Sequence, residues 1–225
     1  MATIVIVPAA FFGGWQWKEV RRALQAAGHE VYTPTLTGLG ERSHLASPAI
    51  GLDTHIQDVV NVLEYEDLRD VVLVGHSYGG IVVTAVAERA ADRLARLIYL
   101  DAVLPNDGEC LFDALSPQVR AIWEERARLG GEGWRISLLP GDNPRAAPMP
   151  LKPFQQPLRL TGTGSHTVPG AYVHCTAKTG RDDFARSADR AREGGWPVYE
   201  LATGHHPLGS EAGRTALVDL LLKVI

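Results

Sequence analysis

The residue whose surroundings most clearly specify chemistry is Ser77. It is centred in Gly75-His76-Ser77-Tyr78-Gly79, between the apolar run Val71–Val74 and the small, branched stretch Ile81–Arg89. A Gly-x-Ser-x-Gly segment joining a strand to a helix is the setting of a nucleophile elbow. The tight turn forces the serine into a strained backbone, and side chains at Gly75 and Gly79 would collide with neighbouring elements. The hydroxyl is thereby raised to the carboxyl edge of a sheet, where the following helix N-terminus favours developing negative charge. The bland alternative, a serine in an ordinary strand-to-helix turn, does not require the flanking apolar strand and small-residue helix.

A serine hydroxyl is a poor nucleophile until a base removes its proton. Eight histidines are present, most of them readable as surface or packing residues. His205 follows the apolar run Val198–Leu201 and precedes the final amphipathic segment, the place of a general base that comes last in chain order. His206 is its rival. His76, beside the nucleophile, reads as a packing residue. The acid that would orient the imidazole has two candidate places. Asp101 ends the run Leu97–Leu100, whereas Asp182 and Asp183 follow the later run Ala171–Cys175. Asp101 is favoured because it stands at a strand end, and a helix cap or solvated charge is the alternative for each. Two backbone amides would stabilise an oxyanion: Tyr78, next to the nucleophile, and Ala10, in the loop Pro8-Ala9-Ala10-Phe11-Phe12-Gly13-Gly14 after the first strand. Phe11 and Phe12 are candidate walls of an apolar pocket, or core.

The elements that must position these groups alternate. Thr3–Val7, Glu30–Thr33, Val71–Val74, Leu97–Leu100, Ala171–Cys175 and Val198–Leu201 read as strands. Trp15–Ala27, Thr54–Glu64, Ile81–Arg89, Ala185–Arg192 and Arg214–Val224 carry helical periodicity. Such alternation predicts an α/β fold, a mostly parallel central sheet flanked by helices. Thr35–Ser47 reads as a loop of more than ordinary length. Between about residues 105 and 165 the alternation breaks into prolines, glycines and isolated aromatics, which predicts a helical lid inserted into a single domain spanning 1–225. Phe112, Leu115, Trp123, Trp134 and Leu138 are its candidate pocket residues.

Composition limits the remaining possibilities. With 225 residues, 45% hydrophobic and 21% charged, the chain can bury one sizeable core. A net charge of −4 argues against a nucleic-acid partner. The arginines of 181–192 are interleaved with acids, as on a solvated helix face. No apolar stretch approaches the roughly 20 residues that cross a bilayer, and the Met1–Pro8 run has no basic leader. A cytoplasmic protein is expected. Cys110 and Cys175 lie far apart in sequence and make neither a metal-ligand cluster nor a dense disulfide framework; reduced thiols are expected, with a single bridge as the alternative. A homodimer is compatible with the sequence.

Over nearly its whole length the chain resembles the small α/β-hydrolases that include plant methyl-ester hydrolases, hydroxynitrile lyases and a group of bacterial esterases. The resemblance rests on Gly-Gly-Trp-x-Trp at 13–17, Ala-Gly-His-Glu-Val at 27–31, Pro-Thr-Leu-Thr-Gly-Leu-Gly-Glu-Arg at 34–42, Val-Gly-His-Ser-Tyr-Gly-Gly at 74–80, Tyr-Leu-Asp-Ala at 99–102 and Ala-Thr-Gly-His at 202–205. It implies the α/β-hydrolase fold, a Ser-His-Asp triad, a helical lid over an apolar pocket and no cofactor or metal. Three departures stand out. The family's first loop begins His-Gly, where this chain has Pro8-Ala9. In the plant members the acid follows the strand corresponding to Ala171–Cys175, where this chain has Thr176-Ala177-Lys178-Thr179 and no carboxylate before Asp182. The lyases resemble one another in a threonine and a lysine at the places held here by Ala9 and His206, which disfavours cyanohydrin cleavage.

The leading expectation is therefore hydrolysis of small carboxylic esters by Ser77, His205 and Asp101 through an acyl-enzyme. A non-hydrolytic lyase or cyclase of the same fold would differ in surviving the loss of Ser77. A ligand-binding scaffold without catalysis would need no elbow at all.

Overall fold

β-Branched residues pack well on a pleated surface and crowd a helix, and the apolar runs form strands accordingly. A computed structural model, describing residues 1–162 and 167–225, contains β1 (Thr3–Val7), β2 (Glu30–Tyr32), β3 (Val71–His76) and β4 (Leu94–Leu100) in the first half. The short β5 (Arg135–Ile136) and β6 (Met149–Pro150) pair antiparallel, and β7 (Gly170–Cys175) and β8 (Val198–Leu201) complete the set. Six strands make one parallel sheet in the order β2-β1-β3-β4-β7-β8.

Because side chains alternate across a strand, β1 feeds two cores. Ile4 and Ile6 pack with Val20 and Leu24 of α1 (Lys18–Ala26) and Leu217 and Leu221 of α8 (Glu211–Val224). Val5 and Val7 pack on the other face, with α2 (Leu52–Tyr65), α3 (Gly79–Ala90) and α7 (Ala185–Glu193). The expected α/β architecture is thus observed, with helices on both faces of a parallel sheet. Gly28, at φ +91°, ends the first helical stretch in the left-handed conformation that favours glycine.

Two local expectations change. Residues 14–17 form a 3₁₀ turn rather than the first turn of α1. The stretch expected as a plain loop contains a 3₁₀ helix at Gly40–Leu45. Asp58 organises it, accepting from the amide and hydroxyl of Thr37 at 2.6 and 2.7 Å and from the Arg42 guanidinium at 3.0 Å.

Between β4 and β7 the chain forms α4 (Leu111–Ala114), α5 (Pro117–Gly130), the β5–β6 hairpin and α6 (Lys152–Gln155). Residues 163–165, the end of the expected insertion, lie outside the described residues. Ser116 caps α5 by accepting from Val119 N–H, and Pro117 supplies a preset φ at its first turn. Phe154 of α6 anchors the segment. It is fully buried and meets Trp123 at 5.1 Å, Tyr78 at 5.6 Å and Phe112 at 5.8 Å between ring centroids. Burying one such ring contributes about 2–3 kcal/mol.

Candidate active site

Ser77, His205, Asp101 and the loop after β1 come together at the carboxyl edge of the sheet, where ligands bind in open α/β folds. Ser77 follows β3 with φ +56°, Asp101 follows β4 with φ +41°, and Phe11 follows β1 with φ +68°. Non-glycine residues in this region are strained unless their surroundings hold them there. For Ser77 the holding is explicit: its N–H donates to Leu100 O at 3.2 Å, and its carbonyl accepts from Gly80 and Val103 N–H, each at 3.1 Å. The glycines are required by space. A Cβ on Gly75 would lie 2.6 Å from Gly79 O, one on Gly79 would lie 2.6 Å from Val7 O, and one on Gly80 would lie 2.2 Å from Val103 O.

Ser77 Oγ lies 3.0 Å from His205 Nε2, and His205 Nδ1 lies 2.7 Å from Asp101 Oδ2. An ionised carboxylate only accepts, so Nδ1 carries the proton and Nε2 is left to accept from the serine hydroxyl. Asp101 is fully buried. Burial raises its pKa, but hydrogen bonds from His205 and Lys178, with their charges, outweigh it and hold the carboxyl below its usual range. Its second oxygen accepts from Cys175 N–H at 3.1 Å and from Lys178 Nζ at 2.6 Å. The turn after it is clamped by Tyr172, whose hydroxyl donates to Ala102 O at 2.8 Å and accepts from Ala102 N–H at 3.0 Å.

His205 is also fixed from two other sides. Phe184 stacks on its ring at 4.5 Å and 9°. His76 is fully buried, and its Nε2–H donates to the His205 carbonyl at 2.9 Å. Desolvation pushes the pKa of His76 down to about 3, so it stays neutral through the working range. His206 lies beside His205, at 4.7 Å between ring centroids, and faces Phe12 at 6.0 Å.

The two candidate oxyanion donors stand on adjacent strands. Val7 of β1 is in register with Gly75 of β3, so Ala10 and Tyr78 each lie three residues past a matched pair. Tyr78 is the residue before α3, with the helix dipole behind its amide. A cavity of about 480 Å³ opens onto Ser77 and His205 and is lined by Ala10, Phe11, Phe12 and Trp123. Leu138 and the polar Gln16, Arg126, Asp142 and Asn143 also border it. Phe11 and Trp123 meet edge to face at 5.7 Å.

Trp134, expected in the pocket, is not among its lining residues. Glu132 and Gly133, both at positive φ, turn the chain back after α5. The indole then lies under the Arg135 guanidinium, 5.1 Å away, with Nε1–H 3.4 Å from Glu132. Asp182, the alternative acid, is engaged elsewhere: Oδ2 lies 2.6 Å from His174 Nε2 and Oδ1 lies 2.7 Å from Lys178 Nζ. Asp183 is paired with Arg181 at 3.0 Å.

Among the described residues two groups have the spacing of metal donors, His76 with His205 and His206, and Asp101 with His174 and Asp182. In the second, the Lys178 ammonium already bridges both carboxylates. In the first, Nε2 of His76 and both ring nitrogens of His205 are taken up by the bonds just described. The sequence reading missed Lys178, Tyr172 and Phe184 as supports of the site. The stretch Thr176-Ala177-Lys178-Thr179, which carries a cation and no carboxylate after β7, was the one visible signal.

Such an arrangement can lower the cost of ionising Ser77, hold an imidazolium beside a carboxylate and receive an oxyanion. Comparison with known proteins agrees in fold and family. A sequence model of the alpha/beta hydrolase family matches residues 4–218. A carbendazim hydrolyzing esterase of a Nocardioides species is 37% identical, over 91% of this chain and 93% of that protein. A putative chloroplastic methylesterase of Arabidopsis thaliana is 28% identical over 51% of this chain and 33% of its own length. The solved structure of an extracellular α/β-hydrolase from a Paenibacillus species superposes with a TM-score of 0.84 at 22% identity, covering 98% of each chain. The chain belongs to the α/β-hydrolase family.

Proposed function

We propose that this protein is a serine esterase acting on small carboxylic esters, with Ser77 as nucleophile, His205 as general base and acid, and Asp101 as the orienting carboxylate. The observation that carries this reading is the continuous chain Ser77 Oγ, His205 Nε2, His205 Nδ1, Asp101 Oδ2, with links of 3.0 and 2.7 Å, on a strained elbow at a cavity floor. The relative at 37% identity, named a carbendazim hydrolyzing esterase, supports it.

Ser77 Oγ bonds to the ester carbonyl carbon as its proton passes to His205 Nε2. The carbonyl oxygen takes the negative charge and accepts hydrogen bonds from the amides of Ala10 and Tyr78. The carbon–alkoxide bond breaks, and the alkoxide leaves with the proton from His205. Water then attacks the acyl-serine, gives its proton to His205, and the acid departs as Ser77 regains its hydrogen. Asp101 stays ionised throughout and stabilises the imidazolium. A cavity of about 480 Å³ suits a small acyl or alcohol group, with Phe11, Phe12 and Trp123 supplying apolar contact. The segment between β4 and β7 serves as its lid, through Trp123. The free, buried Cys110 and Cys175 fit a reducing, cytoplasmic setting.

Turnover of p-nitrophenyl acetate and butyrate by wild type and by Ser77→Ala tests the assignment. Wild type is expected to hydrolyse at least one of them, and the variant to lose about 10⁴-fold or more. Inert wild type across acyl lengths, or an active Ser77→Ala, would remove the esterase reading.

A further inference from the structure

Lys178 is the one cation in direct contact with the carboxylate that orients His205, among the described residues. Its Nζ lies 2.6 Å from Asp101 Oδ1 and 2.7 Å from Asp182 Oδ1. Only 11% of its side chain is exposed, and Asp101 is wholly buried. Lys178 lies three residues past the end of β7, whose last residue, Cys175, donates its N–H to Asp101. In this chain that region supplies a cation and the carboxylate comes from the end of β4.

A buried lysine is costly unless paired and hydrogen-bonded, and here two carboxylates satisfy it. The two oxygens of Asp101 are divided between partners. Oδ2 receives His205 Nδ1–H, while Oδ1 receives Lys178 Nζ–H and Cys175 N–H. This division fixes the carboxylate plane, because rotating it would break bonds at both oxygens. It also has an electrostatic consequence. An ammonium on Oδ1 withdraws part of the negative charge that Asp101 presents to the imidazolium on Oδ2. The ammonium is itself shared with Asp182, whose other oxygen is tied to His174. The full array is therefore Ser77–His205–Asp101–Lys178–Asp182–His174.

We infer that Lys178 is a positioning residue for the Ser77–His205–Asp101 array: it holds the Asp101 carboxylate aimed at His205 Nδ1 and offsets part of the negative charge that the imidazole faces. The inference rests on the proposed catalytic reading and deepens it.

The test measures the rate at which a fluorophosphonate modifies Ser77 as a function of pH. The serine oxygen bonds to phosphorus, the phosphorus–fluorine bond breaks, fluoride leaves, and His205 accepts the serine proton. No substrate need be known. Lys178→Met and Lys178→Arg are compared with wild type, with thermal unfolding as a check that each variant is folded. Lys178→Met is expected to slow labelling about tenfold at its plateau, the scale of one charge-assisted hydrogen bond, and to move the acid limb to higher pH. The sign follows from charge: without the ammonium, the unshared carboxylate favours the imidazolium. Lys178→Arg keeps a cation and is expected to keep the wild-type limb.

Among the described residues, the other titratable groups facing this array are Tyr172 and Cys175 on β7, His174 and Asp182 beside Lys178, His76 on β3, and His206 next to His205. Burial raises Tyr172 well above its usual range and lifts the Cys175 thiol to about 12, so both stay protonated. His76 stays neutral. His174→Gln and His206→Gln therefore serve as controls that must each retain the acid limb. A plateau loss in Lys178→Met without movement of the limb would reduce Lys178 to packing and overturn the inference. So would a Lys178→Arg displaced as far as Lys178→Met, or a limb that disappears in either glutamine control. Wild type that is not labelled at Ser77 at any pH would instead refute the catalytic reading itself.

Discussion

Replacing Asp101 by asparagine preserves size and removes one charge, and the consequence can be worked out atom by atom. The carboxylate accepts from His205 Nδ1–H at 2.7 Å on one oxygen and from Lys178 Nζ and Cys175 N–H, at 2.6 and 3.1 Å, on the other. An amide has one acceptor oxygen for these two sides. The lysine and the backbone amide are two donors, one of them charged, so the carbonyl turns to them and the NH₂ group faces His205. Nδ1 must then be the unprotonated nitrogen, which places the imidazole proton on Nε2, facing Ser77. In that tautomer His205 cannot accept the serine proton. Comparable replacements in Ser-His-Asp enzymes cost about 10⁴ in kcat, or about 5.5 kcal/mol of barrier. The assay is kcat/KM on the best p-nitrophenyl ester, beside thermal unfolding and an Asp182→Asn comparison. Asp182→Asn leaves the His205–Asp101 bond in place and is expected to stay within about tenfold of wild type. An Asp101→Asn enzyme within tenfold of wild type, or a larger loss in Asp182→Asn, would refute the tautomer reasoning and move the acid to Asp182.

Gly80→Ala is expected to destabilise the protein by about 1–3 kcal/mol, because its Cβ would come 2.2 Å from Val103 O and 2.9 Å from Ala102 Cβ; denaturant unfolding measures it, and an unchanged midpoint would contradict the close approach of α3 to the turn after β4. Glu109 is held below its ordinary value of 4.5, first by hydrogen bonds from Arg190, at 2.6 Å for the Nη2 contact. Because the folded-state pKa is the depressed one, this stabilisation is complete above about pH 5 and drains away as the pH falls through the folded value. Glu109→Gln should therefore cost about 1–2 kcal/mol near pH 7, and the difference from wild type in urea unfolding should shrink toward pH 3.

Local chemistry was legible in the sequence wherever it depended on neighbours in the chain. The tight turn at Ser77 was legible because it is built from consecutive residues, and the glycines at 75, 79 and 80 meet the backbone contacts that such a turn imposes. The strands were legible because a parallel sheet buried on both faces demands continuous apolar runs. His205 could be placed by its position after the final strand. The 3₁₀ helix at Gly40–Leu45 was hidden, since Asp58, which ties it down, lies in α2 and carries no periodic signal.

By itself, then, the sequence determined the α/β alternation, the tight turn at Ser77 and the order in which Ser77, Asp101 and His205 arrive at the sheet edge. Tertiary structure alone decided which carboxylate meets His205. Asp101 and His205 are 104 residues apart, and the choice follows from the register of β4 with β7 and from the Lys178 side chain that reaches back to both acids. It also decided that Trp123 faces the cavity while Trp134, eleven residues later, lies under Arg135. The two tryptophans are equivalent as residues. What separates them is the turn at residues 131–133, whose effect on direction accumulates over the chain and is not encoded in either indole.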